Sequence, residues 1–407
     1  MSALPPLRAV EAFPVRQNGA TGICLRDPLR YTEAVLFIPM GLIPLLQLID
    51  GTRDLGDIQA EVTRRFATLL PSEEIQGVID TLDRAYYLDS ERFAAHKESV
   101  DRRFLDSPVR APYLAGQAYP ESPEELVRMI DGLFLHPEGP GEPDPEARHE
   151  TPAGAIIPHI DFARGGPAYA HAYRSLVESE PADVYVVLGT AHMGAERVFA
   201  LTRKDFATPL GTIPADREFI DELVKEAGED CFMDELSHRA EHSIEFQAVF
   251  LRHLLGRNHP ISLVPVLCGS MQEFILAGGS PMEDPRVSGF VEGLKKTLAR
   301  EKRKVCVIAS VDLAHVGPRF GHPDPVDAAR LTVTQQKDRE MLERVQNKDP
   351  EAFFGFVRDE QDQRNICGLT PIYTLLHALD CREVSLLLYG ISPDPQGTVT
   401  FASLLVR

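Results

Sequence analysis

Three short apolar runs each end in side chains that bind metals or move protons. Ile156-Ile157 leads into Pro158-His159-Ile160-Asp161, and Val187-Leu188 into Gly189-Thr190-Ala191-His192. Val307-Ile308 leads into Ala309-Ser310-Val311-Asp312-Leu313-Ala314-His315. Imidazole and carboxylate are ligands for zinc and non-haem iron, and imidazole also transfers protons near neutral pH. A buried strand that stops at such a group delivers it to the carboxyl edge of a sheet, where open α/β sheets bind ligands. One histidine in that position reads most simply as a turn or core residue. Four potential ligands, His159, His192, Asp312 and His315, at three strand ends read as one shared site.

Two further places carry titratable groups. In Glu241-His242-Ser243-Ile244-Glu245, His242 and Glu245 are three apart at the start of a helix and share a face. They are either an acid/base pair or a supporting layer facing the site, or part of a helix start whose Glu241 and Glu245 serve the macrodipole. Cys367 stands in Asn365-Ile366-Cys367-Gly368, between a polar stretch and an apolar helix. The other five cysteines are scattered without a CxxC pair, which excludes a disulfide framework in so long a chain. Cys268 and Cys306 lie in apolar runs and read as small core residues. The remaining histidines lie on polar segments or within helices, with His322 in a loop where it is a minor candidate for lining the site.

The elements that must position these groups alternate. Beyond Thr151 the runs Ala155–Ile157, Asp183–Leu188, Ile261–Leu267, Val305–Ile308 and Val384–Tyr389 read as strands. Tyr169–Val177, Phe219–Ala227 and His242–Leu255 read as helices. That alternation predicts an α/β domain, a central mixed sheet with helices on both faces, over residues 108–407. Residues 1–105 read as a separate small domain. It has an apolar strand at Val35–Ile38, a helix starting at Pro44, a helix over Thr52–Phe66 and one capped by Ser72, with Ala85–Leu88 as a wing strand. This order suggests a small winged helix-turn-helix domain. The charged stretch Ala94–Val109 reads as a connector, and the proline-rich Pro137–Pro152 as an exposed loop.

The net charge of −19 weighs against nucleic acid and anionic membranes, both of which need basic surface. Residues 1–105 hold 12 Lys+Arg against 15 Asp+Glu, so DNA is a poor partner for the winged-helix pattern. No stretch approaches the ~20 uninterrupted apolar residues of a membrane helix, and the N-terminus lacks a secretory pattern. A cytoplasmic protein is expected.

Two resemblances sharpen this reading. Leu48-Ile49-Asp50-Gly51-Thr52-Arg53-Asp54-Leu55-Gly56-Asp57-Ile58 resembles the core of PqqD-like domains, which recognise peptides beside radical-SAM and peptide-modifying enzymes. The ordered set Ala115–Pro120, Ile157–His159, Leu188–His192, Glu241–Glu245, Ser310–His315 and Ile366–Gly368 with Pro371 resembles the Memo family. That family is the B component of the AmmeMemoRadiSam system and is related to class III extradiol dioxygenases, which use Fe(II). The resemblance implies one metal ion on His159, His192 and Cys367, with Fe(II) favoured and Cu or Zn as alternatives. It implies that Asp312 and His315 line the same pocket and that His242 lies near it. The sequence departs from the family after the first histidine, where Ile160-Asp161-Phe162 replaces Ala-Gly-Tyr, and at Met193, where many members carry a second histidine. Asp161 is accordingly either a further ligand or acid/base group, or a turn residue before Arg164-Gly165-Gly166.

Three functions fit. The first is a dioxygenase-like oxidoreductase acting on a small molecule or on a peptide presented by the N-terminal domain. The second is a non-catalytic metal-binding partner of a radical-SAM protein. The third is a thiol hydrolase with Cys367 as nucleophile, which requires a cysteine free of metal.

Overall fold

Reciprocal capping sets the first long helix. Asp54 Oδ1 accepts from Asp57 N at 2.9 Å, and Asp57 Oδ2 accepts from Asp54 N at 3.1 Å. The helix therefore begins at Leu55 and runs to Phe66, later than the expected Thr52. The computed structural model describes residues 3–17, 19–66 and 70–407. The chain divides into two units, Met1–Asp106 and Ser107–Arg407.

In the first unit, β1 (Glu11–Gln17), β2 (Ala20–Arg26) and β3 (Leu36–Pro39) form an antiparallel sheet in that order. A single turn at Ile43–Leu46 and the helices Leu55–Phe66, Ser72–Arg84 and Glu91–Asp106 follow. Leu45, Ile58, Ile75, Ile79 and Leu82 close its core. Three readings change here. Ala85–Leu88 is no wing strand, since only Leu88 makes an isolated bridge, to Leu7. Its place is taken by β1 and β2, whose alternation is weak because β1 is exposed almost throughout. Ser72 is the first helical residue and not the cap, and its hydroxyl donates to Gln59 Oε1 instead. Most of the charged stretch read as a connector belongs to the helix Glu91–Asp106, where Phe93 and Phe104 are buried.

In the second unit, β4 (Val109–Arg110) opens the chain and β5 (Gly154–Ile157), β6 (Val184–Thr190) and β7 (Phe199–Leu201) follow. Next come β8 (Asp205–Thr208), β9 (Gly211–Ile213), β10 (Ser262–Cys268), β11 (Val305–Ser310) and β12 (His315–Val316). The last two are β13 (Val384–Ser392) and β14 (Thr398–Val406). Eight strands form one mixed sheet in the order β12-β14-β5-β11-β6-β10-β7, with β13 against β14. Its centre, β5-β11-β6-β10, is parallel, and β7 and β14 flank it antiparallel.

Alternation along β6 explains why this sheet is covered on both sides. Val184, Val186 and Leu188 face one core, with Phe219, Phe290 and Phe353 from the helices Arg217–Ala227, Pro285–Arg300 and Pro350–Asp359. Tyr185 and Val187 face another, with Ile130, Tyr173 and Phe250 from the helices Pro123–Phe134, Phe162–Val177 and Ser243–Phe250. Each fully buried residue of this kind contributes roughly 1.5–3 kcal/mol, so neither face tolerates solvent. Pro137–Pro152 contains neither helix nor strand and is largely exposed. No helix among the described residues is long and apolar enough to cross a membrane.

A buried ion pair fastens the start of the unit to the helix Ser243–Phe250. Arg110 and Glu245 pair with side chains only 1% exposed. Arg110 also donates to the carbonyls of Ala111, His238 and Glu241. Glu245 accepts from the backbone of Tyr113 and Leu114 and from the Tyr119 hydroxyl. Removing one partner strands a buried charge. We expect Glu245→Ala to lower unfolding free energy by about 3–5 kcal/mol in denaturant titrations; a loss below about 1 kcal/mol would show that the pair is not structural.

His238 is buried, and its Nε2 lies 3.0 Å from the Ala200 carbonyl. Burial pushes its pKa down to about 3. Between the unfolded value of about 6.5 and that folded value, the unfolded chain holds a proton that the folded chain refuses. This contribution is present above pH ~6.5 and is lost as pH falls toward 3. His238→Gln is expected to flatten the stability–pH curve in that window by up to about 1.4 kcal/mol per pH unit, measured by thermal unfolding across pH.

Candidate metal centre

Because β5, β11 and β6 are adjacent and parallel, their carboxyl ends reach the same edge. His159 follows β5, Asp312 follows β11, and His192 follows β6. Two glycines permit the close packing of the remaining pieces. A side chain at Gly189 would place its Cβ 2.5 Å from Ser243 Oγ, so its absence lets the helix start bearing His242 approach β6. A Cβ at Gly368 would lie 2.8 Å from the Asp312 carbonyl, so its absence lets the Cys367 loop approach the end of β11.

The result is a cluster of three imidazoles. One ligand atom each of His159, His192 and His242 lies within 4.8 Å of the others. Ring centroids are 4.8 Å apart for His159 and His192, 5.1 Å for His159 and His242, and 4.5 Å for His192 and His242. His159 is buried, and the other two are partly exposed.

The other ring nitrogens of the cluster are each held by an acceptor. His159 Nδ1 lies 2.9 Å from the Ser310 carbonyl, which only accepts, so Nδ1 carries the proton and Nε2 offers its lone pair. His192 Nδ1 and His242 Nδ1 lie 3.0 and 3.1 Å from the same oxygen, Glu241 Oε1. Glu241 also accepts from the backbone N–H groups of His192, His242 and Ser243 at 2.8–2.9 Å. Metal-binding histidines are oriented in this way, with the second nitrogen held by a carboxylate or carbonyl. The donor set therefore fits a metal ion.

Electrostatics favour the neutral ring at His159. Burial, reinforced by His192 and His242, holds His159 well below the usual imidazole range, so it is neutral as a ligand must be. Burial alone would lower His192, but the Glu241 carboxylate reverses this and raises it. Glu241 is buried, yet its histidine partners keep it ionised, well below the usual carboxylate range.

Cys367 stands beside the cluster, its Sγ 3.4 Å from His159 Nε2. Its sulfur accepts from Asp312 N at 3.3 Å. Burial, then the Asp312 charge, pushes the thiol well up. Asp312 Oδ1 accepts from the N–H groups of His159 and Ile160 at 3.1 Å, and Oδ2 lies 3.7 Å from His159 Nε2. Burial raises this carboxyl to about 7. His315 Nδ1 lies 3.3 Å from the Leu313 carbonyl, and burial lowers its pKa to about 4. His192, His315 and Cys367 line one cleft of about 410 Å³.

The site segments occur in the order of one family. The family model described as Memo-like protein matches residues 110–401. The chain belongs to the Memo family. A MEMO1 family protein of Aquifex aeolicus is 30% identical over 355 residues, covering 87% of this chain and 86% of that protein. One of Methanopyrus kandleri is 33% identical over 309 residues, covering 73% of this chain and 99% of that protein. One of Methanocaldococcus jannaschii is 30% identical over 309 residues, covering 74% and 99%.

In this Memo chain the residues singled out from sequence separate. His159, His192, His242, Asp312 and Cys367 come together, and His315 lines the adjoining cleft with His192 and Cys367. Glu245 does not join them, being held by Arg110. Asp161 caps the helix Phe162–Val177, its carboxylate accepting from Arg164 N and pairing with the Arg164 side chain. That is the turn alternative for this residue. His322 bonds Gly317 and Gln363 and does not line the cleft.

Sequence reasoning missed three residues that hold the site. Glu241 enters the sequence reading only in the helix-dipole alternative, although a carboxylate next to a histidine at a helix start was the available clue. Gln247 donates to the Pro158 carbonyl and to Ser310 Oγ, both at 2.8 Å, and Ser310 Oγ donates to the Ser243 carbonyl at 2.6 Å. A glutamine amid Ile244, Phe246, Ala248 and Val249 was the sign that a buried partner awaited it. Glu241→Gln keeps the shape but loses the charge and one acceptor oxygen. We expect metal affinity to fall about 10- to 100-fold by chelator competition; unchanged affinity would show that Glu241 does not orient the ligands.

Proposed function

We propose that this protein is a metal-dependent, dioxygenase-like oxidoreductase whose single metal ion is held by His159, His192 and Cys367, with His242 beside them. The observation that carries the reading is the orientation of the imidazoles: the Nδ1 atoms of His159, His192 and His242 are held by acceptors, which leaves the Nε2 lone pairs for a metal. Two or three imidazoles with a thiolate suit Fe(II), Cu or Zn, and Fe(II) is favoured by the kinship with extradiol dioxygenases. Such an ion supplies open positions for dioxygen and for a chelating substrate. Asp312 and His315 are the groups that accept the substrate's protons, and Asp312 holds the backbone before and after His159 in place.

The unshared edge of β3 supports a role for the first unit as a peptide-binding, PqqD-like domain. β3 is an outer strand, and a groove of about 310 Å³ runs between Leu36, Ile38 and Pro39 and the helix residues Val78 and Leu82. An extended peptide adds to such an edge through its backbone, with apolar side chains in the groove. The substrate is then a peptide or a small molecule, and a radical-SAM protein is the partner in an AmmeMemoRadiSam-type system. The alternative is a metal-binding scaffold of that system without turnover. The Cys367 nucleophile reading is disfavoured by burial, which holds the thiol protonated unless a cation is present.

Elemental analysis of anaerobically purified protein tests the centre. The expected result is about one iron or copper per chain in the wild type and its loss in His159→Ala and in Cys367→Ala, with both variants folded by circular dichroism. Unchanged metal content in both variants would refute the assignment. Oxygen uptake with catechols or peptides then separates the enzyme from the scaffold.

A further inference from the structure

The cleft beside the histidines has a polarity of its own. At about 410 Å³ it suits a molecule of one ring or a short chain. Met271, Ile275, Phe320 and Leu369 give it apolar walls, and no lysine or arginine lines it. Among the described residues its single carboxylate is Asp362. Oδ1 of Asp362 accepts from Ile366 N at 2.8 Å, and no salt bridge among the described residues engages this side chain. The cation two positions on, Arg364, is committed to Asp338 and Glu360.

The loop that presents Asp362 is built at a cost. Gln361, Asp362 and Asn365 all have left-handed backbone, with φ of 54°, 48° and 49°. Three such non-glycine residues in five positions persist only where surrounding structure holds them, and such strain gathers at binding sites. Asn365 Nδ2 holds the loop by donating to the carbonyls of His315 and Phe320 at 3.1 and 3.2 Å. The same loop ends in Cys367.

We propose that this cleft takes a small apolar molecule carrying an amine and rejects carboxylates and phosphates, with Asp362 setting the preference. The proposal rests on the reading of the histidine cluster as the reacting end of the same cleft. Electron-rich oxygens belong at the histidine end, and the ammonium belongs at Asp362. At the Asp362 end an anion would meet an apolar wall and a like charge, with no lysine or arginine among the lining residues to balance it. Burial raises the Asp362 carboxyl to about 6, which leaves it mostly ionised at neutral pH and open to stabilisation by an ammonium.

Fluorine NMR titration of the full chain with 4-fluorophenethylamine, 4-fluorophenethyl alcohol and 4-fluorophenylacetate tests this, with and without prior chelator treatment. The amine is expected to bind about tenfold or more tightly than the acid in both preparations. Asp362→Asn keeps the acceptor for Ile366 N and should bring amine and acid within about threefold while leaving the alcohol unchanged. The acid binding as well as the amine, a preference that survives in Asp362→Asn, or failure of all three probes to bind would overturn the proposal. Metal content judges the other reading independently. An amine preference in protein that retains no metal upholds Asp362 and sinks the metal centre, and metal retained without the preference does the reverse.

Discussion

One buried carboxylate organises the site. Glu241 gathers two imidazole N–H groups and three backbone N–H groups, and each bond removes a freedom that the cluster cannot have. His192 follows a strand and His242 begins a helix, so no single element could hold both rings. Bonding them to one oxygen fixes their separation, their ring faces and which nitrogen carries the proton. A buried charge is costly unless every lone pair is used, and here five donors converge on two oxygens. The same helix start is secured from behind by Arg110, which bonds the Glu241 carbonyl and pairs with Glu245. The machinery at the sheet edge thus leans on a second, wholly structural ion pair one helical turn away.

The chain also divides labour among neighbouring polar residues of similar type. Asp161 and Asp312 both follow strands and both border the site segments. One caps the start of a helix and bonds an exposed arginine, while the other is enclosed and bonds backbone N–H groups at the cluster. Glu241 and Glu245 are both buried and differ in their partners, imidazoles for the first and Arg110 for the second. Residue type and spacing nominate a group for chemistry, but burial and the partner already holding it decide whether it is available.

This is also the boundary of what the sequence could reveal. The parallel centre of the sheet was legible because its strands are continuous apolar runs, and His159, His192 and Asp312 were legible because each follows such a run. Three kinds of feature were not. β14, buried along its whole length, has no parallel partner and no residue of evident chemistry to draw attention to it. β1 is too exposed to show alternation. Glu241, Gln247 and Ser310 act through contacts between segments far apart in the chain, and nothing local marks which partner each will meet. The pairing of Cys367 with the histidine edge came from family likeness, since the loop that carries it shows only a polar-to-apolar transition.

The insertion of β11 between β5 and β6 has a consequence for the timing of assembly. His159 and Asp312 are 153 residues apart in sequence, yet the strands that deliver them are neighbours. At ordinary elongation rates roughly 8–30 s separate their synthesis on the ribosome. His159 and His192 emerge early, but the strand that must lie between theirs does not yet exist, and Cys367 comes later still. The nascent chain therefore carries scattered imidazoles, and the cluster gains its support at Ser310 and its Cys367 neighbour only once those segments have been translated.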